Sequence, residues 1–141
     1  MKKIAGFLTA AVAVLSLNGC GGGSDSYDHI YYLQKFDSVN YVGVPDVYYD
    51  CGVNVGYTGP NGEFYMRDGD ICTFYDLDET LSTEEYNVLY LGANASGTVG
   101  LSGVDYICDS DFSWSTTDPD GMFTYDPTYY VSGDICDFSF N

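Results

Sequence analysis

One sequence pattern occurs twice in the chain, and each copy contains two cysteines. The pattern reads V-x-Y-x-C, then T-x-P-x-G-x-F, then G-D-I-C-x-F, where x is any residue. The first copy starts at Val47 and the second at Val104, and the offset between matched residues grows from 57 at the first cysteine to 64 at the second. A unit repeated in this way is structural. The pattern therefore predicts two small units of one kind.

Each copy is predicted to be a small antiparallel meander. Apolar residues alternate with polar ones, as at Val47, Tyr49 and Cys51, which places them on one face of a strand. T-x-P-x-G is a turn, because proline fixes φ and glycine adopts a positive φ without strain. The sequence therefore predicts an all-β fold.

One short helix is predicted between the copies, over residues 83–91. Ser82 and Glu85 have the spacing of a capping box, and Gly92 ends the apolar pattern. Residues 27–36 have no clean period, so a leading strand and a short helix both remain open there.

The N-terminus has the pattern of an export signal. A basic start precedes an apolar run that is too short for a permanent membrane span and that ends in Leu17-Asn18-Gly19-Cys20. These residues resemble the lipobox of bacterial lipoproteins. The resemblance implies cleavage before Cys20 and lipid on its sulfur. The alternative is an ordinary secretory signal with an unrelated cysteine. Gly21 follows Cys20 in place of an inner-membrane retention aspartate, so we expect a lipid anchor in the bacterial outer membrane, facing the periplasm or the cell surface.

These observations predict five segments along the chain. They are a signal peptide (residues 1–19), a Gly/Ser tether (20–26), a first β repeat with the short helix (27–92), a linker (93–103) and a second β repeat (104–141).

The chain is strongly acidic. It has 21 acidic and four basic residues, and removal of the signal would leave Lys35 and Arg67 as the basic residues, for a net charge of −19. This charge argues against nucleic acid and against adsorption to anionic lipid, which both need a positive surface. Calcium or a basic protein remains a possible partner class, and a purely solubilising role for the charge is the alternative.

Four cysteines remain after the lipobox cysteine. The repeat selects the pairs Cys51–Cys72 and Cys108–Cys136 among three possible pairings. A metal site is the alternative, but no C-x-x-C occurs and the chain has a single histidine. Disulfides fit an exported domain of this size, and each should stabilise it by about 3 kcal/mol.

The second copy resembles a repeat of bacterial envelope and secreted proteins, S-G-V-x-Y-x-C, then T-T-D-x-x-G-x-F-x-Y, and it is similar to carboxypeptidase-regulatory-like and other prealbumin-like modules. The match covers residues 101–141 well and 44–75 more loosely. Copy one departs from it at Gly59, where aspartate is usual, and Cys72 and Cys136 replace a valine. The resemblance implies an immunoglobulin-like or prealbumin-like β-sandwich without enzyme activity.

The sequence contains no recognised catalytic motif, such as G-x-S-x-G, H-E-x-x-H or a P-loop, and we predict that the protein is not an enzyme. Four acids are weak calcium candidates, without the EF-hand order, and roles in turns or next to a helix start are the alternative. These acids are Asp76, Asp78, Asp109 and Asp111.

Tyrosine is in excess, with 15 residues beside eight phenylalanines and one tryptophan. Neighbouring tyrosines in a strand point to opposite faces, so some must be exposed. Exposed tyrosines anchor protein contacts or stack on sugars, or they only stiffen strands by cross-strand pairing. The residues predicted to contact a partner or ligand are Tyr48, Tyr57, Trp114 and Tyr130.

The main functional hypothesis is a surface structural or adhesive subunit that acts through protein–protein contacts and self-assembles, as in a filament, through strand edges and tyrosines. The alternatives are a glycan- or calcium-binding surface module and a periplasmic accessory subunit of an envelope enzyme or complex.

Overall fold

The computed structural model describes residues 28–84 and 86–140. Within them the chain is all-β, as the alternation of apolar residues predicts. The strands are β1 (His29–Phe36), β2 (Tyr41–Gly43), β3 (Tyr48–Asp50), β4 (Val55–Tyr57), β5 (Glu63–Met66), β6 (Ile71–Leu77), β7 (Val88–Gly92), β8 (Asp105–Cys108), β9 (Ser115–Thr116), β10 (Met122–Thr124) and β11 (Asp134–Ser139).

The strands form two antiparallel sheets. In the five-stranded sheet the order is β10-β7-β1-β2, and β5 also pairs with β1. In the six-stranded sheet the order is β4-β3-β6-β11-β8-β9. The β1–β7 pair in one sheet and the β6–β11 pair in the other join the two halves of the chain. Both halves therefore contribute strands to both sheets.

The predicted helix over residues 83–91 is wrong, because Val88–Gly92 forms strand β7. This strand pairs with β1 on one edge and with β10 on the other, and all five of its residues are buried. The capping box at Ser82 is a local signal for a helix. Pairing on both edges satisfies the backbone of β7, and burial on both faces favours an apolar strand. The other ambiguous segment is a strand too, since β1 starts at His29.

The two sheets share one core, and its centre is aromatic. Phe64 and Phe74 from the first half and Phe123 and Phe138 from the second are fully buried. Each pair packs edge to face, with ring centroids 4.9 Å apart in the first and 4.7 Å apart in the second. These are the matched phenylalanines of the sequence pattern. Burial stabilises the fold by about 1.5–3 kcal/mol for each ring.

The threonine of the T-x-P-x-G turn makes the same two hydrogen bonds in both copies. Thr58 is buried, and its Oγ1 accepts a hydrogen bond from the Val47 N–H (3.0 Å) and donates one to the Val44 carbonyl (2.7 Å). Thr117 makes the matched pair of bonds at 3.0 and 2.6 Å. The conserved spacing of the pattern thus reproduces a buried hydrogen-bonding arrangement, and not only a turn.

The glycine of the same turn lies where no side chain fits. Gly62 and Gly121 have φ values of 78° and 83°, in the left-handed region. A Cβ at Gly62 would collide with the Leu33 carbonyl, and a Cβ at Gly121 would collide with the Leu91 carbonyl. Both requirements explain why the pattern contains glycine at this position.

Two disulfides bridge neighbouring strands of the six-stranded sheet. Cys51, directly after β3, bonds to Cys72 in β6, and Cys108 at the end of β8 bonds to Cys136 in β11. The Cα atoms are 4.0 and 3.9 Å apart, and the sequence separations are 21 and 28 residues. These are the pairs expected within each copy. Closing loops of this size stabilises the fold by about 3 kcal/mol for each disulfide.

The signal peptide, the lipobox with Cys20, and the tether lie outside the described residues. In the part of the chain that the structure describes, no helix is long and apolar enough to cross a membrane. The division into repeats at residues 27–92 and 104–141, with a linker at 93–103, stays a prediction.

Candidate functional site

Three tyrosines form a row across neighbouring strands on the outer side of the six-stranded sheet. Tyr48 lies opposite Tyr57 in the register of β3 and β4, and the ring centroids are 5.2 Å apart. Tyr75 in β6 lies on the other side of Tyr48, at 5.4 Å. We refer to Tyr57, Tyr48 and Tyr75 as the tyrosine row. Tyr57 is 67% exposed, so the row ends in an open aromatic surface.

Acidic residues and one leucine line a groove of about 400 Å³ along the tyrosine row. Asp46, Asp76, Asp78 and Leu81 form its other walls. Asp46 and Asp76 have positive φ values of 64° and 58°, a conformation that aspartate tolerates better than most residues. The groove thus has aromatic and anionic walls close together.

Further carboxylates act on the tyrosine row from the middle of the sheet. Burial raises the pKa of the Tyr75 phenol, and the negative charges of Asp50 and Asp137 add to the shift. Asp137 accepts a hydrogen bond from the Thr73 hydroxyl at 2.7 Å. The phenol of Tyr75 is therefore neutral at physiological pH, in a negative electrostatic environment.

The second copy has two connections that are longer than their counterparts in the first, and they meet at the same place. The offset between the copies grows by two residues between Cys108 and Thr117 and by five more before the final cysteine. We refer to residues 109–114 and 126–133 as the copy-two loops. Tyr130 in one loop donates a hydrogen bond to Asp109 in the other at 2.8 Å. Its ring also packs against Tyr129, with centroids 4.8 Å apart.

A buried carboxylate holds the copy-two loops together. Asp134 is fully buried and accepts hydrogen bonds from the Ser110 hydroxyl and from the backbone N–H groups of Ser110, Asp126 and Ile135. A buried carboxylate needs several donors of this kind to remain compatible with a low-dielectric interior. The loops are thus fixed to the sheet by a satisfied polar network.

The copy-two loops also expose large apolar side chains. Phe112 is 89% exposed, and Val131 is fully exposed. Phe112, Tyr129 and Tyr130 line a second groove of about 270 Å³ together with Asp137. Asp137 lies on the outer side of the six-stranded sheet, where its charge also acts on Tyr75 of the tyrosine row. We call the tyrosine row, Asp137 and the copy-two loops together the outer aromatic face.

Three of the four predicted contact residues line the two grooves, and Trp114 lines neither. Tyr48 and Tyr57 line one groove, and Tyr130 lines the other. Trp114, directly before β9, is 56% exposed. Sequence analysis missed Tyr75, although the alternation around Phe74 contained the signal. Since Phe74 points into the core, its neighbour Tyr75 must point outwards.

The weak calcium candidates fall into separate pairs. Asp76 and Asp78 line the groove at the tyrosine row, and Asp109 and Asp111 line the groove at the copy-two loops. Asp78 accepts hydrogen bonds from the backbone N–H and the hydroxyl of Thr80. Asp111 accepts the same two hydrogen bonds from Ser113. These bonds match the turn role that was the alternative. Calcium binding remains a prediction.

One group of metal-ligating residue types comes together in the described part of the chain. It consists of Cys108, Asp134 and Cys136. The two sulfurs form a disulfide, and a metal site needs thiolates in their place. This group therefore belongs to the folded framework.

Comparisons of the chain with protein-family models, curated proteins and solved structures found no match.

Proposed function

We propose that the chain is a non-catalytic, lipid-anchored protein of the bacterial outer membrane that acts through protein–protein contacts on its outer aromatic face. It serves as a surface structural or adhesive subunit. The observation that carries this proposal is the tyrosine row, with its half-buried and exposed rings in contact across three strands. Tyrosine is enriched at protein interfaces because it offers large apolar area and a polar tip at a small cost in side-chain entropy.

The second copy provides an internal comparison for the row. The sequence pattern matches Tyr57 with Thr116, Tyr48 with Asp105 and Tyr75 with Ser139, so that no tyrosine occupies the matched positions. The two copies nevertheless share the buried threonine bonds, the turn glycine and the disulfide. A strand framework of this kind thus forms without the three tyrosines. This comparison supports a role for the row beyond folding.

The copy-two loops support the same proposal from the other half. They are the segments that copy one has only in shorter form, and they expose Phe112 and Val131. Loops on a rigid scaffold commonly carry binding residues. Phe112 lines a groove together with Tyr129 and Tyr130, and exposed apolar groups that lie together mark interaction sites. Both grooves lie on the outer side of one sheet, so a single partner surface can reach them.

The N-terminal residues support the proposed location at the membrane. The lipobox-like Leu17-Asn18-Gly19-Cys20 and the glycines after it support a lipid anchor followed by a flexible tether. More than one acyl chain gives stable anchoring. The net charge after signal removal keeps the folded part away from anionic headgroups. The outer aromatic face is then free to meet another protein.

We also propose that the two copies form one sandwich related by an approximate two-fold axis, of the immunoglobulin-like or prealbumin-like kind. The register supports this arrangement, because Thr73 pairs with its matched residue Asp137. Leu33 pairs with Leu91, and their carbonyls lie against the matched turn glycines Gly62 and Gly121. The strand order of the six-stranded sheet is symmetric about β6 and β11, and in the other sheet β5 pairs with β1 as β10 pairs with β7. In this proposed arrangement copy one begins at β1 and copy two at β7, and these bounds differ from the division at residues 92 and 104 that the sequence predicts.

The mass of the lipid-free Cys20→Ser protein in solution tests the self-assembling form of the proposal. Growing oligomers by light scattering, unchanged by calcium or EDTA, that shrink in a Tyr57→Thr/Tyr75→Ser variant would support self-assembly. A monomer would restrict the function to contact with a different protein. A calcium-dependent mass would instead favour the acidic residues as ligands. Binding of a neutral oligosaccharide that depends on the row would favour a glycan module.

Palmitate labelling tests the anchor. The wild-type chain should incorporate labelled palmitate in the producing bacterium, and the Cys20→Ser variant should not. Labelling of the variant would overturn the assignment of Cys20.

A further inference from the structure

The groove at the tyrosine row has the chemistry of a cation site built from aromatic rings. The faces and edges of Tyr48, Tyr57 and Tyr75 form one wall, and Asp46 and Asp76 form another. An aromatic ring attracts a cation through its quadrupole, and a carboxylate nearby adds a direct charge interaction. A neutral partner would gain hydrogen bonds from the acidic wall but no charge attraction.

We propose that the tyrosine row binds lysine or arginine side chains presented by another protein. This inference rests on the proposed function, since it names the chemistry of the partner at the outer aromatic face. The methylene stem of the basic side chain packs along Tyr48 and Leu81, and its charged head lies between the Tyr57 ring and the carboxylates of the groove.

The charge of the chain argues that this partner is a different protein. After signal removal, a second copy offers only Lys35 and Arg67. The Arg67 side chain is already engaged, because its Nε lies 3.1 Å from Asp28. Two copies that each have a net charge of −19 also repel each other. A basic partner is attracted by the same charge, and the tyrosine row gives the contact a defined place.

The carboxylates alone would attract any cation without selecting a place on the surface. The matched residues of copy two allow the rings to be removed without changing the charge. Tyr57→Thr and Tyr75→Ser introduce the residues that copy two has at these positions. Tyr65→Thr is the matched control, because Tyr65 is 41% exposed on the other sheet and copy two has Thr124 at the matched position.

The experiment measures binding of a labelled deca-lysine peptide to the full chain, purified in non-ionic detergent, by fluorescence anisotropy at 150 mM salt. The fully acetylated peptide is the charge control. We expect the Tyr57→Thr/Tyr75→Ser variant to bind deca-lysine about tenfold more weakly than the wild type. The Tyr65→Thr variant should bind as the wild type does, and the acetylated peptide should not bind.

A second pair of variants tests the carboxylates. Asp46→Asn/Asp76→Asn keeps residues that tolerate a positive φ and removes two charges from the groove. Glu79→Gln/Asp120→Asn removes two charges from exposed positions outside the lining of the groove. The first pair should weaken deca-lysine binding several-fold more than the second.

Three results would overturn the inference. Equal weakening by both charge pairs, with no effect of the tyrosine substitutions, would mean that the peptide binds to the overall charge. A tyrosine-dependent increase in the mass of the protein without tyrosine-dependent deca-lysine binding would reject the basic partner and leave the proposed contact function in place. If the protein binds neutral cellohexaose and not deca-lysine, and the tyrosine variant loses this binding, both the basic partner and the proposed protein-contact function would be rejected.

Discussion

Replacement of the buried threonine hydroxyl is the sharpest test of the duplicated framework. Thr58→Val keeps the shape of the side chain and removes its Oγ1. The Val47 N–H and the Val44 carbonyl then lose their partner inside the protein. Each lost hydrogen bond costs about 1 kcal/mol, and an unsatisfied buried group adds to this cost. We therefore expect a loss of about 2–4 kcal/mol in the free energy of unfolding.

The second copy supplies a replicate of this experiment within the same molecule. Thr117 is 3% exposed and Thr58 is 2% exposed, and their hydrogen-bond lengths agree within about 0.1 Å. Thr117→Val should therefore cost the same as Thr58→Val. Thr116→Val is the control, because this neighbouring threonine is exposed, and we expect an effect below about 0.5 kcal/mol.

Urea unfolding followed by circular dichroism measures all three variants with the disulfides intact. The two buried variants should unfold at a lower midpoint with an unchanged slope. They should also melt roughly 10 °C below the wild type. A loss in the free energy of unfolding below about 0.5 kcal/mol for both variants would contradict a stabilising role of the two hydroxyls. A difference above about 1.5 kcal/mol between the variants would contradict their structural equivalence.

Three further predictions concern groups that the structure places in unusual surroundings. Asp134→Ala should destabilise the fold by about 3 kcal/mol in urea unfolding, because it leaves buried donors without their acceptor. Gly59→Asp should lower the melting temperature, since the new side chain meets the Glu63 carboxylate, and Glu63→Met should restore it. Burial raises the pKa of Tyr49 to about 12, so stability should fall between pH 10 and 12 and fall less steeply in Tyr49→Phe.

Different outcomes would contradict each of these three predictions. An Asp134→Ala variant as stable as an exposed Asp111→Ala variant would mean that the buried network contributes little. If the melting temperature does not recover in the Gly59→Asp/Glu63→Met double variant, an aspartate at position 59 cannot replace the Glu63 carboxylate in the turn. Above pH 10 the folded state retains the Tyr49 proton, while the unfolded chain loses it. If stability falls equally steeply with pH in the wild type and in Tyr49→Phe, a group other than Tyr49 causes the fall.

The Gly59 prediction follows from a comparison of the two turns. In copy two the Asp118 carboxylate accepts hydrogen bonds from the backbone N–H groups of Asp120 and Met122. In copy one the matched residue is Gly59, and the carboxylate of Glu63 accepts the bond from Asn61 N–H at 2.8 Å. One carboxylate thus serves each turn, from a different position in the sequence. The Glu63 carboxylate thus compensates for the lack of a carboxylate at Gly59.

The alternation of residues and the turn pattern were enough to predict an all-β chain, and the repeat was enough to predict the pairing of the two disulfides. Positions such as Gly62 are under strict local constraint, and local constraints are readable from one sequence. The helix over 83–91 failed for the opposite reason. The partners of β7 are β1, nearly 60 residues earlier, and β10, about 30 residues later, and their contribution outweighs the local capping signal at Ser82.

The candidate site was predictable in its residue types and not in its geometry. Tyrosine excess and alternation indicated exposed rings at Tyr48 and Tyr57. Their assembly with Tyr75 depends on the register of β3 against β6, which no local pattern specifies. The start of each proposed copy did leave a signal, because Tyr32-Leu33 in β1 matches Tyr90-Leu91 in β7.

Site-specific photo-cross-linking in the producing bacterium tests whether the outer aromatic face is the surface that contacts another protein. A benzophenone amino acid would replace Tyr57 in one strain and Tyr65 in another. Both side chains are exposed, on different sheets. We expect an ultraviolet-dependent adduct with another polypeptide from position 57 and none from position 65. No adduct from position 57, or equal adducts from both positions, would contradict the assignment of the outer aromatic face as the contact surface.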